Sequence, residues 1–299
     1  VDVLAQFLQQ MFNGISLGSM YALIALGYTM VYGIIQLINF AHGEILMVGA
    51  FASFYALSQL RVNFILALVI GMASSTLLGV LIERVAYKPL RNSTRLSVLI
   101  TAIGASLFLQ NTGLYVFGVN YKDFPQAVTN VIYRIPLGDN LLIVSRYQLL
   151  ILLVTIIMML LLQYIVRYTK TGKAMRAVST DKEAAQLMGI NVDNTVSVTF
   201  ALGSALAAVA GVLMGLYYNQ IWPLMGIMPG LKAFVAAVLG GIGIIPGAMT
   251  GGFILGIIEA LVSGYWSSNW RDVVVFGLLI VILIVKPSGL LGKNQREKV

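Results

Sequence analysis

One histidine and no cysteine occur among the 299 residues. Thiol catalysis, disulfides and zinc or iron–sulfur centres are therefore excluded or nearly so. The one G-x-S-x-G spacing, Gly14-Ile15-Ser16-Leu17-Gly18, lies inside a long apolar run and not at a strand-to-helix turn, so an intramembrane hydrolase is disfavoured. The remaining candidates for chemistry are a few polar groups set in apolar sequence. Asn39, His42 and Glu44 fall in Asn39-Phe40-Ala41-His42-Gly43-Glu44, and Lys232 and Glu259 flank a Gly/Pro-rich stretch. Ionisable groups at membrane depth are costly and face a cavity or a partner. Two readings of Asn39, His42 and Glu44 stand. Either a helix breaks there and the three line a translocation pathway, since a half-helix N-terminus attracts a zwitterion's carboxylate. Or the segment is a turn at the cytoplasmic mouth, with His42 and Glu44 paired. Lys232 and Glu259 are expected to pair with each other or with helix ends.

A second polar segment carries a different signal. Thr180 with Glu183 three residues later reads as a capping box, and Gly189 as a C-terminal cap. The spacing predicts a helix of about two turns, too short to be stable alone. Ala184 and Ala185 give it a slim face that can enter a groove, and Leu187 and Met188 give adaptable apolar contact. A partner surface is required. Neither Gly172-Lys173 nor Gly292-Lys293 has the spacing, or the following Ser or Thr, of a phosphate-binding loop. Gly241-x-Gly243-x-x-x-Gly247 has no preceding soluble strand and is placed at membrane depth, so it is not a dinucleotide fingerprint. Any ATPase belongs to another chain.

The elements that hold these residues must be membrane helices. The chain is 59% hydrophobic and 10% charged, with mean hydropathy +0.90, whereas a soluble domain carries about 25% charge. Charge-free runs cover Val3–Ala41, Ile45–Leu60, Val62–Ile82, Leu96–Tyr121, Tyr147–Val166, Asn194–Leu231, Ala233–Ile258 and Val273–Val285. A span needs about 20 apolar residues, so Val3–Ala41 is expected to be more than one simple helix. No basic leader or cleavage site marks a signal peptide, and the first apolar segment is expected to be retained.

Net charge is +8, and 13 of the 19 Lys and Arg lie in Glu83–Arg95, Arg167–Asp193 and Lys286–Val299. This charge is read as orientation rather than nucleic-acid binding, and it places all three segments in the cytoplasm. Val119–Arg146 becomes the main external loop, and Trp222, Trp266 and Trp270 an outer aromatic belt. Asp2 is then outside, or inside if Val3–Leu60 holds an extra hairpin. The chain between Trp222 and Trp266 must enter the membrane and return, with the helix broken at Gly240, Gly241, Gly243, Pro246 and Gly247. Small residues recur at Gly14, Gly18 and Ala22, and at Ala248, Gly252, Gly256, Ala260 and Gly264, as helix-packing seams. Leu17-Gly18-Ser19 matches Leu202-Gly203-Ser204, Ala50-Phe51 matches Ala233-Phe234, and Leu78-Gly79 before Glu83 matches Leu255-Gly256 before Glu259. Such an ordered set is what an internal repeat would leave.

Glu183, Ala184, Ala185 and Gly189 resemble the E-A-A-x-x-x-G signature of permease subunits of bacterial ATP-binding-cassette importers, where it forms the coupling helix. The downstream I-x-L-P part is absent. The segment from Asn13-Gly14 to Tyr32-Gly33, the stretch Asn39-Phe40-Ala41-His42-Gly43-Glu44, Ile82-Glu83-Arg84, and Leu239 to Gly243 with Pro246-Gly247-Ala248 resemble branched-chain amino acid permeases of the LivH type. The resemblance implies uptake of leucine, isoleucine or valine across a bacterial inner membrane. It also implies a related second permease, two ATP-binding subunits carrying ATP and Mg, and a periplasmic amino-acid-binding protein. Urea and short-chain amide permeases share much of the pattern. An ion-coupled amino acid transporter using His42, Glu44 and Glu259 is the alternative of another class.

The expected protein is an all-α, polytopic transmembrane helical bundle of about eight segments, some broken or re-entrant. It is one permease domain over 1–299, with a cytoplasmic coupling loop at 167–193 and a cytoplasmic C-terminus. It is no enzyme and binds no cofactor itself.

Overall fold

The computed structural model describes residues 3–91, 93–137 and 140–292. The expectations for Asp2 and for Lys293, Arg296 and Lys298 lie outside the described residues. Eleven α-helices occur among those described: α1 Val3–Ile35, α2 His42–Ser58, α3 Phe64–Ile82, α4 Arg95–Phe117, α5 Arg146–Tyr168, α6 Lys170–Thr180, α7 Lys182–Leu187, α8 Val192–Tyr218, α9 Ile227–Gly240, α10 Ile245–Tyr265 and α11 Arg271–Val285. Seven helical stretches are long and apolar enough to cross a membrane. The protein is an all-α multi-pass membrane bundle. α2 and α9 are shorter, at 17 and 14 residues.

The first apolar run departs from expectation. α1 is one unbroken helix of 33 residues, about 50 Å long. Gly14 and Gly18 do not break it, because both are pressed against the backbone of α10. A Cβ added to Gly14 would lie 2.6 Å from Ile257 Cα, and one added to Gly18 2.8 Å from Phe253 Cα. The two small-residue seams read in the sequence are thus two sides of one interface between α1 and α10. Dispersion contact at that separation substitutes for the hydrophobic drive that lipid does not supply.

The packing repeats with the partners exchanged. α1 lies along α10, and α8 lies along α3. Gly18 meets Gly256 on the first seam, and Gly79 meets Ser204 on the second. These are the residues matched between the halves of the sequence. Helices α1–α4 and α8–α11 run in opposite senses through the bundle, the arrangement of an inverted repeat.

The ends of the bundle differ. Trp266 stacks on Trp270 with centroids 5.2 Å apart between α10 and α11, and Trp222 packs on Tyr121. At this tryptophan end, β1 (Lys122–Asp123) pairs with β4 (Gln220–Ile221), and β2 (Ile132–Leu137) pairs antiparallel with β3 (Asn140–Ser145). The β-hairpin was not foreseen in the loop, although β-favouring residues surround Gly138-Asp139 in the sequence. The opposite, basic end gathers Lys88 and Arg91 with Asp193.

Candidate functional site

His42 and Glu44 lie in the first turn of α2 and Asn39 in the chain just before it, inside the bundle and not at its rim. All three are buried. His42 Nε2 presses on Gly27 so closely that no side chain fits there, and Gly27 faces Gly203, near the middle of α8. After α1 ends at Ile35, residues 36–41 climb back as irregular chain before α2 starts. Asn39 makes this possible. Its Oδ1 accepts hydrogen bonds from Ala41 N and Tyr87 Oη, both at 3.1 Å. Unwound backbone at this depth survives only when protein satisfies it.

The paired-turn reading of His42 and Glu44 does not hold. His42 packs on the Tyr28 ring with centroids 4.7 Å apart, and its Nε2 has no hydrogen-bond partner. Glu44 turns to α4 instead, where its Oε1 accepts from Gln110 Nε2 at 2.8 Å. Successive residues of a helix point in different directions, so positions 42 and 44 do not face each other.

α9 mirrors α2. Residues 219–226 descend from the tryptophan end mostly as non-helical chain, and α9 starts beside Gly43. Gly226 and Gly43 touch through their backbones, with no room for a Cβ on either. Two half-helix N-termini therefore meet inside the bundle, next to a cavity of about 180 Å³ bordered by Tyr28, Gly43, Glu44, Gln110 and Gly226.

The break at Gly240, Gly241, Gly243, Pro246 and Gly247 lies at the basic end rather than at mid-depth. Gly241 and Gly243 have φ of 110° and 91°, which glycine alone adopts readily. Pro246 sits in the first turn of α10, where its missing N–H costs nothing. The segment after α11 folds back to close the gap. Leu290 N donates to Leu239 O at 2.8 Å and Leu291 N to Gly240 O at 3.0 Å.

The loop helix is α7, and its start differs from expectation. Thr180 is the last residue of α6 and donates its hydroxyl to Arg176 O at 3.0 Å. Asp181, with extended φ and ψ of −155° and 115°, is the N-cap, accepting from Ala184 N at 3.0 Å. A residue already in helical conformation cannot take the extended N-cap geometry, so the cap falls one position later. Gly189, at φ 83°, ends the helix as read. Ile190 N reaches Ala185 O and Gly189 N reaches Gln186 O, both at 3.0 Å, a Schellman motif. α7 has six residues, fewer than the two turns expected. Ala185 is buried, Glu183 and Ala184 are exposed, and Leu187 and Met188 stand 89% and 83% exposed.

Two ionic clusters complete the picture. Lys232 Nζ contacts Glu259 Oε1 and Asp272 Oδ1, both at 2.7 Å, and Tyr21 Oη donates to Glu259 Oε2 at 2.9 Å. The Lys232–Glu259 pair is the one read from sequence; Tyr21 and Asp272 were not foreseen. At the basic end, Arg91 binds Glu83 and Asp193, and Ser197 Oγ donates to Glu83 Oε2 at 2.6 Å. No arrangement among the described residues provides three metal-ligating acids, histidines or cysteines together.

Comparison with known proteins agrees with this architecture. The family described as branched-chain amino acid transport system permease component matches residues 10–283. The chain is 49% identical to the high-affinity branched-chain amino acid transport system permease protein LivH of Salmonella typhimurium, and equally to that of Escherichia coli K12, over 98% of each chain. Identity to the corresponding permease protein BraD of Pseudomonas aeruginosa is 44%, again over 98% of each chain. With a family match over most of its length and relatives of this identity, the chain belongs to the permease components of branched-chain amino acid transport systems.

Proposed function

We propose that this chain is the translocating subunit of an ATP-binding-cassette importer that moves leucine, isoleucine and valine across a bacterial inner membrane. Two ATP-binding subunits, a related second permease and a periplasmic amino-acid-binding protein complete the transporter, with the C-terminus on the cytoplasmic side. Residues 167–193 form the coupling loop, and Asn39, His42 and Glu44 border the translocation path where α2 and α9 meet.

The observation that carries the coupling role is α7. A six-residue helix does not stand alone, yet this one is capped at both ends and turns Leu187 and Met188 outward. Exposed large apolar side chains on a short rigid knob suit insertion into a partner's groove. Motion has a route inward. α7 leads through Gly189 to α8, which starts with Asn191 Oδ1 accepting from Asn194 N at 2.9 Å. α8 packs on α1, α2 and α3. A push on α7 by closing ATPases thus bears on the helices around the half-helix junction.

Reconstitution with and without the partner subunits tests the reading. Leucine uptake is expected only with ATP and partners, and gradient-driven uptake by the chain alone would overturn it. Glu183→Lys is expected to uncouple ATP hydrolysis from uptake while the bundle still inserts. Unchanged ATP-driven uptake in that variant would remove Glu183 from the coupling role.

A further inference from the structure

Glu44 is set apart from the other deeply buried carboxylates. Glu83 and Glu259 each hold a basic side chain. Glu44 is 3% exposed, takes part in none of the ion pairs among the described residues, and leaves Oε2 without a hydrogen-bond partner. Its compensation comes from neutral groups alone, Gln110 and Ser106 on α4 and the first-turn backbone of α2, so it lacks the cation that Glu83 and Glu259 each have. The side chain borders the cavity of about 180 Å³ at the junction of α2 and α9. That space is smaller than the roughly 300–1,000 Å³ of drug-sized pockets and suits a small solute.

The rest of the wall divides by chemistry. Neither α2 nor α9 has a side-chain N-cap. His42 N and Ile227 N donate to Asn39 O and Leu224 O, and Pro229 has no N–H, so the N–H groups of Gly43 and Met228 and the positive dipole ends are what an anion can use. Gly43 and Gly226, at those two ends, border the cavity. Ile103, Leu107, Ile227 and Leu231 form an apolar wall. Cation acceptor, anion-attracting ends and branched apolar surface therefore surround one small space.

We infer that this cavity is an intramembrane amino-acid site. Glu44 takes the α-ammonium group, the N-terminal ends of α2 and α9 take the α-carboxylate, and the apolar wall receives the branched side chain. The inference rests on the importer reading above and deepens it. Gln110 acts as a positioning residue. It holds Oε1 at 2.8 Å and is itself set by Ser106 Oγ at 3.0 Å, leaving Oε2 for the ligand.

The test uses the assembled, nucleotide-free transporter in nanodiscs without its binding protein, read by saturation-transfer NMR. The probes are leucine, leucinamide, which lacks the carboxylate, and isocaproate, which lacks the ammonium. Glu44→Gln is expected to weaken leucine and leucinamide by at least about tenfold, the loss of one modest ionic contact, while isocaproate is unaffected. Equal leucine binding by wild type and Glu44→Gln overturns the inference, as does no leucine signal on wild type. Leu107→Phe keeps the carboxylate and narrows the apolar wall, so it covers the case that Glu44→Gln does not assemble. It is expected to weaken leucine more than alanine, and equal retention of both also overturns the site. ATP-driven uptake separates the two levels. Absence of leucine uptake in wild type would sink the importer reading itself. Full uptake in Glu44→Gln sinks only the assignment of Glu44.

Discussion

Glu259 and Glu44 are both 3% exposed carboxylates on helices of opposite halves of the repeat, yet their surroundings differ in kind. Both oxygens of Glu259 are occupied, by Lys232 and Tyr21. Glu44 meets only neutral groups, with Gln110 on Oε1 and, among the described residues, no cation on either oxygen. A buried acid with a fixed cation is a closed unit that ties helices together. One whose cation is missing is open to a mobile ligand. On the reading proposed above, the difference separates a carboxylate that holds this bundle together from one that meets what passes through it.

The strongest way to break that distinction is at Lys232. Lys232→Ala removes the cation and strands Glu259, and should destabilise the purified permease by about 3–5 kcal/mol. Denaturant titration in detergent reads this directly. The double change Lys232→Met with Glu259→Met should recover most of the loss, because no charge is then left buried. If Lys232→Ala unfolds with the wild-type midpoint, the pair is not the structural tie described here.

The seam between α1 and α10 tests the repeat. Gly256→Val places side-chain atoms against the Gly18 backbone, and should cost about 1–3 kcal/mol in the same titration, by overpacking. Gly104→Val, at a position with nothing near an added Cβ, is the control and should leave the midpoint in place.

At α7 the expected effect is smaller. Asp181→Ala deletes the N-cap and should weaken the loop helix by about 1 kcal/mol. ATP-coupled uptake should fall while the bundle's unfolding midpoint holds. Thr180→Ala should do neither, since Thr180 caps nothing at that helix. A larger loss from Thr180→Ala than from Asp181→Ala would reverse the cap assignment.

Glu44→Gln closes the series from the other side. An amide still bonds to Gln110, so the stability change should stay below about 1 kcal/mol, even as leucine handling fails. A large destabilisation there would make Glu44 one more structural acid and erase the contrast with Glu259.

Much of this was legible in the chain. Lys232 and Glu259 stand alone in apolar runs, and isolated opposite charges in lipid must find each other. Gly189 announced the end of α7, because only a glycine-like residue turns left-handed there without strain. Other parts were not legible. Thr180 and Asp181 are both good capping residues, and which one is chosen depends on where α6 stops. His42 and Glu44 looked like neighbours in sequence but point to α1 and α4. Arg91 and Glu83 share one basic segment, but Asp193 joins them from another about a hundred residues on, with no local signature.

What the sequence by itself determined is the solvent, the class and the ends. Charge-free runs of span length, basic segments at one end and tryptophans at the other follow from the cost of placing charge and bare backbone in lipid, and that cost acts on each segment independently. What only the tertiary structure decided is where the irregular backbone goes. Whether α1 breaks or runs on for 33 residues, and whether α2 starts at the rim or inside the bundle, depends on which neighbour can press against a glycine or satisfy a freed N–H. For Gly14 and Gly18 of α1 and for Gly43 that neighbour is a segment more than a hundred residues away, and no local pattern contains it.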